Sequence, residues 1–228
     1  MKKHTKRFSR RAAALCLAVL ACSGMTVSAQ GTGETFRQVT ADTEADESGE
    51  ITLTLEEIIE ANTGIEKILG DSEMIGITEV QYSLTGVQTN SAQYAITRDG
   101  DSYAIAYIGS DYIMTLKNGS AWIQYADGTK EARAVDPAQY AAQMEQVINM
   151  APISYSATEE FTAQVEKDGK IYIQSEDAAD DDSVDGNMAC FYYVLDADTL
   201  QAEQIIKSIR DENGNETKVL QTTIEYAN

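Results

Sequence analysis

TLEEIIEANTGIEKILG, residues 54–70, is the stretch from which the fold follows. Thr54 is a hydroxyl N-cap, and Glu57 stands three residues on, the spacing of a capping box. Glu56, Glu57 and Glu60 load the positive end of the helix dipole, and Lys67 stands near the negative end. Leu55, Ile58, Ile59, Ile65, Ile68 and Leu69 recur at steps of three and four, which gives the helix one apolar face. Gly70 tolerates the left-handed conformation that stops a helix. The stretch predicts a single amphipathic helix. Almost everything after it has a different period.

Val80, Tyr82 and Leu84 alternate with Glu79, Gln81 and Ser83. The same alternation returns at Ala92, Tyr94 and Ile96, at Tyr103, Ile105 and Tyr107, at Tyr112, Met114 and Leu116, and at Ala121, Ile123 and Tyr125. Asp99-Gly100, Asn118-Gly119 and Asp127-Gly128 separate these runs, and such pairs accept the positive φ of tight hairpins. The pattern predicts an antiparallel meander with one apolar face. A second helix is expected over 137–150. Asp136 caps it, Pro137 suits its first turn, Tyr140, Met144, Val147 and Ile148 mark its apolar face, and Pro152 stops it. Strands resume around Phe161, Ala163 and Val165, at Ile171 and Ile173, over 191–195, and in a final pair over 200–210 and 217–226. The inventory is roughly ten strands and two helices, an α+β chain.

Composition sets the address. The chain has 228 residues and a formal net charge of −20. Its first 29 residues hold six of the 17 basic residues and none of the 37 acidic ones, so the remainder carries −26. A surface of that sign repels phosphate backbones and anionic headgroups, which excludes nucleic acid as a partner. Residues 1–29 read as an export signal, with a basic start, an apolar run over 12–20 too short to span a membrane, and small residues after it. Two processing readings stay open: cleavage after Val27-Ser28-Ala29, or lipidation of Cys22 within Val19-Leu20-Ala21-Cys22, which resembles a lipobox. Residues 30–50 are acidic and almost free of large apolar side chains, the composition of a disordered linker. One domain then covers 51–228. Cys190 is the lone cysteine beyond the leader, flanked by strand-like residues, and reads as a buried thiol.

Catalytic signatures are mostly missing. His4 is the only histidine and leaves with the leader, which removes Ser-His-Asp and Cys-His catalysis and histidine metal sites. There is no phosphate-binding glycine loop. Paired carboxylates keep a hydrolase as a third reading only, because so many acidic residues pair by chance. Asp181, Ser183 and Asp185 match the first half of a calcium-loop pattern, followed by Gly186. The twelfth position, where a bidentate Glu is needed, is Tyr192. The expectation is therefore a solvated acidic loop and no cofactor, with calcium as the alternative. Trp122 is out of phase with Ala121, Ile123 and Tyr125, and is the candidate for a surface contact.

The order of elements resembles the LolA/LolB-type fold of envelope lipoprotein carriers, and is similar to LppX/LprG-type lipoproteins and the N-terminal domain of the anti-sigma regulator RseB. Two stretches, Leu53-Thr54-Leu55-Glu56-Glu57-Ile58-Ile59-Glu60-Ala61-Asn62 and Tyr193-Val194-Leu195-Asp196-Ala197-Asp198-Thr199-Leu200, resemble small exported proteins of Gram-positive anaerobes. The resemblance implies an incurved, incomplete antiparallel β-barrel of roughly ten strands wrapped around the N-terminal amphipathic helix, with a second helix inserted mid-chain. It also implies a concave apolar cavity for acyl chains. Candidate lining is Ile58, Ile65 and Leu69 from the helix, with Tyr82, Tyr94, Ile105 and Met114 from the sheet. The expected function is a monomeric, non-enzymatic envelope or extracellular protein binding a lipid or other apolar molecule, touching membrane only through a lipid on Cys22. The alternative is an interaction or structural module whose concavity is filled by its own helices.

Overall fold

The structure, a computed structural model, describes residues 53–109, 111–153 and 159–227. The expected leader with Cys22 and the expected linker over 30–50 lie outside the described residues, as do the side chains of Leu55 and Ala163.

Helix α1 (Leu55–Ala61) starts as its capping box requires. The Glu57 N–H donates to Thr54 Oγ1 at 3.3 Å, and the Thr54 N–H donates to Glu57 Oε2 at 2.8 Å. The single helix expected over 54–70 is, however, two. Asn62 ends α1, and α2 (Ile65–Leu69) begins after Gly64, whose φ is +87°. Polar side chains at the break satisfy carbonyls that a continuous helix would use: Asn62 Nδ2 donates to Ile58 O at 2.9 Å, and Thr63 Oγ1 to Ile59 O at 2.7 Å. The break lets two short segments each bury their own apolar residues, Ile58 on α1 and Ile65, Ile68 and Leu69 on α2. Gly70 stops α2 with φ +52°, as expected; a Cβ there would meet Gln201 Nε2 at 2.6 Å.

The strands are β1 (Met74–Tyr82), β2 (Gln88–Asp99), β3 (Ser102–Ile108), β4 (Tyr112–Lys117), β5 (Ser120–Tyr125), β6 (Lys130–Arg133), β7 (Glu159–Lys167), β8 (Lys170–Asp177), β9 (Met188–Asp196), β10 (Ala202–Arg210) and β11 (Glu216–Ala227). Between β6 and β7 lies α3 (Pro137–Ile148), with Asp136 Oδ1 accepting from the N–H groups of Ala138 and Gln139. Among the described residues the eleven strands form one sheet, ordered β6-β5-β4-β3-β2-β1-β11-β10-β9-β8-β7. Every neighbouring pair is antiparallel. The strand beyond the expected ten is β6, Lys-Glu-Ala-Arg, exposed throughout, so no apolar period announces it. The Asn118-Gly119 and Asp168-Gly169 turns take positive φ at both residues, as their hairpins demand.

This order places the first and last strands side by side at the centre, with Ile77 opposite Ile224. The two halves of the chain fan outward from that seam to the edges β6 and β7. The sheet is therefore open, and α3 lies on the chain path between its edges. Ile75, Ile77, Ile96, Ile105, Leu116, Ile173, Tyr193, Leu195 and Ile224 share one face, and α1, α2 and Val147 of α3 pack into it as a single core. An incurved antiparallel sheet around helices is the architecture that the resemblance implied.

The opposite face carries a smaller cluster of Cys190, Tyr192 and Ile206. Cys190 is fully buried, as expected. Lys218 is also on this face and only 3% exposed. Its ammonium donates to Gln221 Oε1 at 2.7 Å and lies 4.6 Å from the centre of the Tyr82 ring. No carboxylate pairs with it among the described residues, and burial lowers its pKa from the ordinary 10.5. The folded state thus binds fewer protons than the unfolded state in the window below pH 10.5. Stability rises with pH through that window, and the full cost is felt at neutral pH. Lys218→Met should stabilise the domain by about 1 kcal/mol at pH 7 and flatten that alkaline rise. Urea unfolding at a series of pH values checks both.

Candidate functional site

The helices cover only part of the concave face. Along β1 the inward residues are Ile75, Ile77 and then Glu79, paired on β11 with Tyr226, Ile224 and Thr222. The inner surface turns polar at Glu79 and Thr222, where the helical cover ends. There an open cleft of about 660 Å³ lies between the sheet and α3. Its sheet side is Ile77, Glu79, Tyr94 and Thr222; its helix side is Ala142, Glu145, Met150 and Pro152, with neighbours.

Local chemistry holds α3 in this position. Val147 buries its side chain in the core, and Ile153 does so just past the helix. The Gly64 N–H donates to Met150 O at 2.8 Å, tying the end of α3 to the break between α1 and α2. Pro152 prevents the helix from running on. The C-terminal end of α3 is thus anchored, while Ala142 and Glu145 stay exposed and face the cleft. Tyr94 stacks at a tilt against Tyr107, centroids 6.3 Å apart. Burial, the nearby Glu79 carboxylate and Tyr107 together push its phenol up to about 12, so it stays neutral across physiological pH. Glu79 accepts from Gln81 Nε2 at 3.1 Å.

Of the seven residues expected to line a cavity, Tyr94 is at the cleft. Ile58, Ile65, Leu69 and Ile105 are sealed in the core, each 2% exposed or less. Met114 lies on the concave face, opposite Tyr107 and Ile123 and away from the cleft lining. Tyr82 sits on the convex face, over Lys218. The alternation through Val80 and Tyr82 is real but marks the outer surface, because the inner positions of that half-strand are Glu79 and Gln81. Leu84 is not in the strand at all and is 69% exposed in the following turn. The cleft residues that sequence reasoning missed include Ile77, Glu79 and Thr222 on the sheet and Ala142, Glu145, Met150 and Pro152 on the helix side. The one signal for them was the switch from Ile75 and Ile77 to Glu79 on one face of a strand.

Trp122 does face outward, between Thr115 and Ala132, but it is half-buried. The acidic loop is organised by a lysine. Lys207 Nζ lies 2.7 Å from both Asp180 Oδ1 and Asp182 Oδ2. Burial opposes its charge, yet these two carboxylates hold its pKa above the ordinary value. Ser183 Oγ donates to Asp177 O at 2.6 Å and accepts from the Ala189 N–H at 2.8 Å, so its lone pairs and proton serve the loop itself. Asp181 and Asp185 are exposed. Among the described residues no three acidic, histidine or cysteine groups converge as a metal site. Glu159 accepts hydrogen bonds from Ser175 Oγ and from Tyr193 Oη, which gives that carboxylate a packing role.

No protein-family model matches the sequence, and no curated protein matches it. Among solved structures, the chain is similar to LprF from Mycobacterium bovis, with a TM-score of 0.39 at 9% identity over 75% of this chain and 92% of that one. It is also similar to a LolA superfamily protein from Nitrosomonas europaea, with a TM-score of 0.27 at 9% identity over 78% and 94% of the two chains. At these scores the overlaps say nothing about ligand or mechanism.

Proposed function

We propose that this protein is a non-enzymatic binding protein that holds an apolar or amphiphilic small molecule in the cleft between its concave sheet and α3. The observation that carries this reading is the strip of concave face at Tyr94 that the helices leave uncovered, walled by Met150, Ala151 and Pro152. A concave strip where apolar side chains stand beside a few placed polar groups is where small-molecule sites commonly form. The rival module with a filled concavity describes only the part under α1 and α2; beyond it the helices leave room. In this proposal residues 1–29 serve as an export signal and residues 30–50 as a linker, so the protein works outside the cytoplasm. Among the described residues no helix is long and apolar enough to cross a membrane.

Ala142 is exposed on α3 and lines the cleft, so a bulky side chain there fills the cleft without touching the core. Ala142→Trp should weaken uptake of an environment-sensitive apolar dye at least about tenfold, with melting temperature unchanged. Dye titration of the two proteins side by side is the test. Equal uptake by both would remove the cleft as the binding site.

A further inference from the structure

The cleft has one sign of charge. Glu79 contributes from β1 and Glu145 from α3, so carboxylates stand on both walls. Among the described residues no Lys, Arg or His lines it. Lys207, on the concave side of β10, is already bound by Asp180 and Asp182. Tyr94 adds an aromatic face at the cleft, backed by Tyr107. The chain as a whole carries −20, so its field draws cations toward the surface.

From this arrangement we infer that the cleft selects amphiphiles with a cationic head, an amine or quaternary ammonium on an apolar body, over those with an anionic head. The inference rests on the reading that the cleft is a ligand site. The apolar body lies against Met150, Ala151 and Pro152. The cationic head has Glu79 and Glu145 to pair with and the Tyr94 ring to stack on, contacts that also suit a quaternary ammonium lacking N–H donors. A carboxylate head in the same position meets two like charges and finds no counter-ion, which disfavours a free fatty acid in this half of the concavity.

The test holds the tail constant and varies the head. Dodecyltrimethylammonium, dodecyl maltoside and dodecanoate are each titrated calorimetrically into the full exported chain, below their micelle concentrations and at physiological ionic strength. The same titrations are run on Ala142→Trp and on the double variant Glu79→Gln/Glu145→Gln. The expected result is that the ammonium binds at least about tenfold tighter than the carboxylate, that the double variant shrinks this gap to about twofold, and that Ala142→Trp abolishes binding of all three. Equal affinities that Ala142→Trp still abolishes would overturn the head-group selectivity and leave the cleft as a ligand site. Ammonium binding that ignores Ala142→Trp would be condensation on the acidic surface, and would overturn the inference too. If no probe binds, the ligand-site reading fails and takes this inference with it.

Discussion

Asn62→Leu should lower the melting temperature by about 10 °C, a loss of roughly 3–4 kcal/mol for a domain of this size. Asn62 is 1% exposed, and its amide joins two parts of the chain that are far apart in sequence. Its Nδ2 donates to Ile58 O and to Leu200 O, each at 2.9 Å, and its Oδ1 accepts from the Ala202 N–H at 2.9 Å. Leucine keeps the branching and heavy-atom count and deletes every one of these bonds, which leaves buried backbone groups of the β9–β10 turn without that partner. The turn has further reason to need it, because Leu200 is held at φ +59°, a conformation that costs a non-glycine residue. Asn62→Asp should be no better. It keeps the acceptor for Ala202 but turns a charged oxygen toward two carbonyls. Gln201 reinforces the same joint from the other side, donating to Lys67 O and Ile68 O at the end of α2. A melting temperature within 2 °C or so of the parent for Asn62→Leu would show that the joint is not what holds the helices to the sheet.

Ile58→Ala should destabilise by about 3 kcal/mol while leaving affinity at the cleft unchanged. Ile58 is fully buried, in one core with Ile65, Ile68 and Leu69 of α2 and the isoleucines of the concave face. Removing its branched end leaves a void that the core, wedged between sheet and two helices, cannot close by collapse. Cleft affinity stays because Ile58 does not line the cleft. Ala142→Trp has the opposite signature, with stability held and binding lost. Measuring urea midpoints and dye affinity on both variants separates the plug under α1 and α2 from the open part of the concavity. Loss of dye binding in folded Ile58→Ala would merge the two into one cavity and return Ile58, Ile65 and Leu69 to its lining.

Much of this fold is legible in the amino-acid sequence. The Thr54–Glu57 capping box, the Asp136 cap with Pro137, the stop at Gly70 and the Asn-Gly and Asp-Gly hairpins all depend on neighbours within four residues. The two stretches that carry the family resemblance meet in space, since Asn62 closes the first and reaches Leu200 at the end of the second. What misleads is the phase of alternation. A period of two says that a strand has two unlike faces, but not which of them a helix will cover. For most strands the apolar face is the concave one. For the half of β1 beyond Ile77 the apolar side chains Val80 and Tyr82 point outward, and Glu79 points into the cleft.

Sequence alone therefore suffices for the inventory: capped helices, an antiparallel meander with its turns, an acidic composition, and a single histidine, His4. Only long-range packing breaks the first helix in two, brings the first and last strands together as the central seam, and leaves open a cleft with two carboxylates. The physical reason is range. Caps and turns are settled by bonds between near neighbours, whereas the cleft depends on distant ones: Gly64–Met150 ties the helices together, Asn62–Leu200 ties them to the sheet, and among the described residues that sheet stays open.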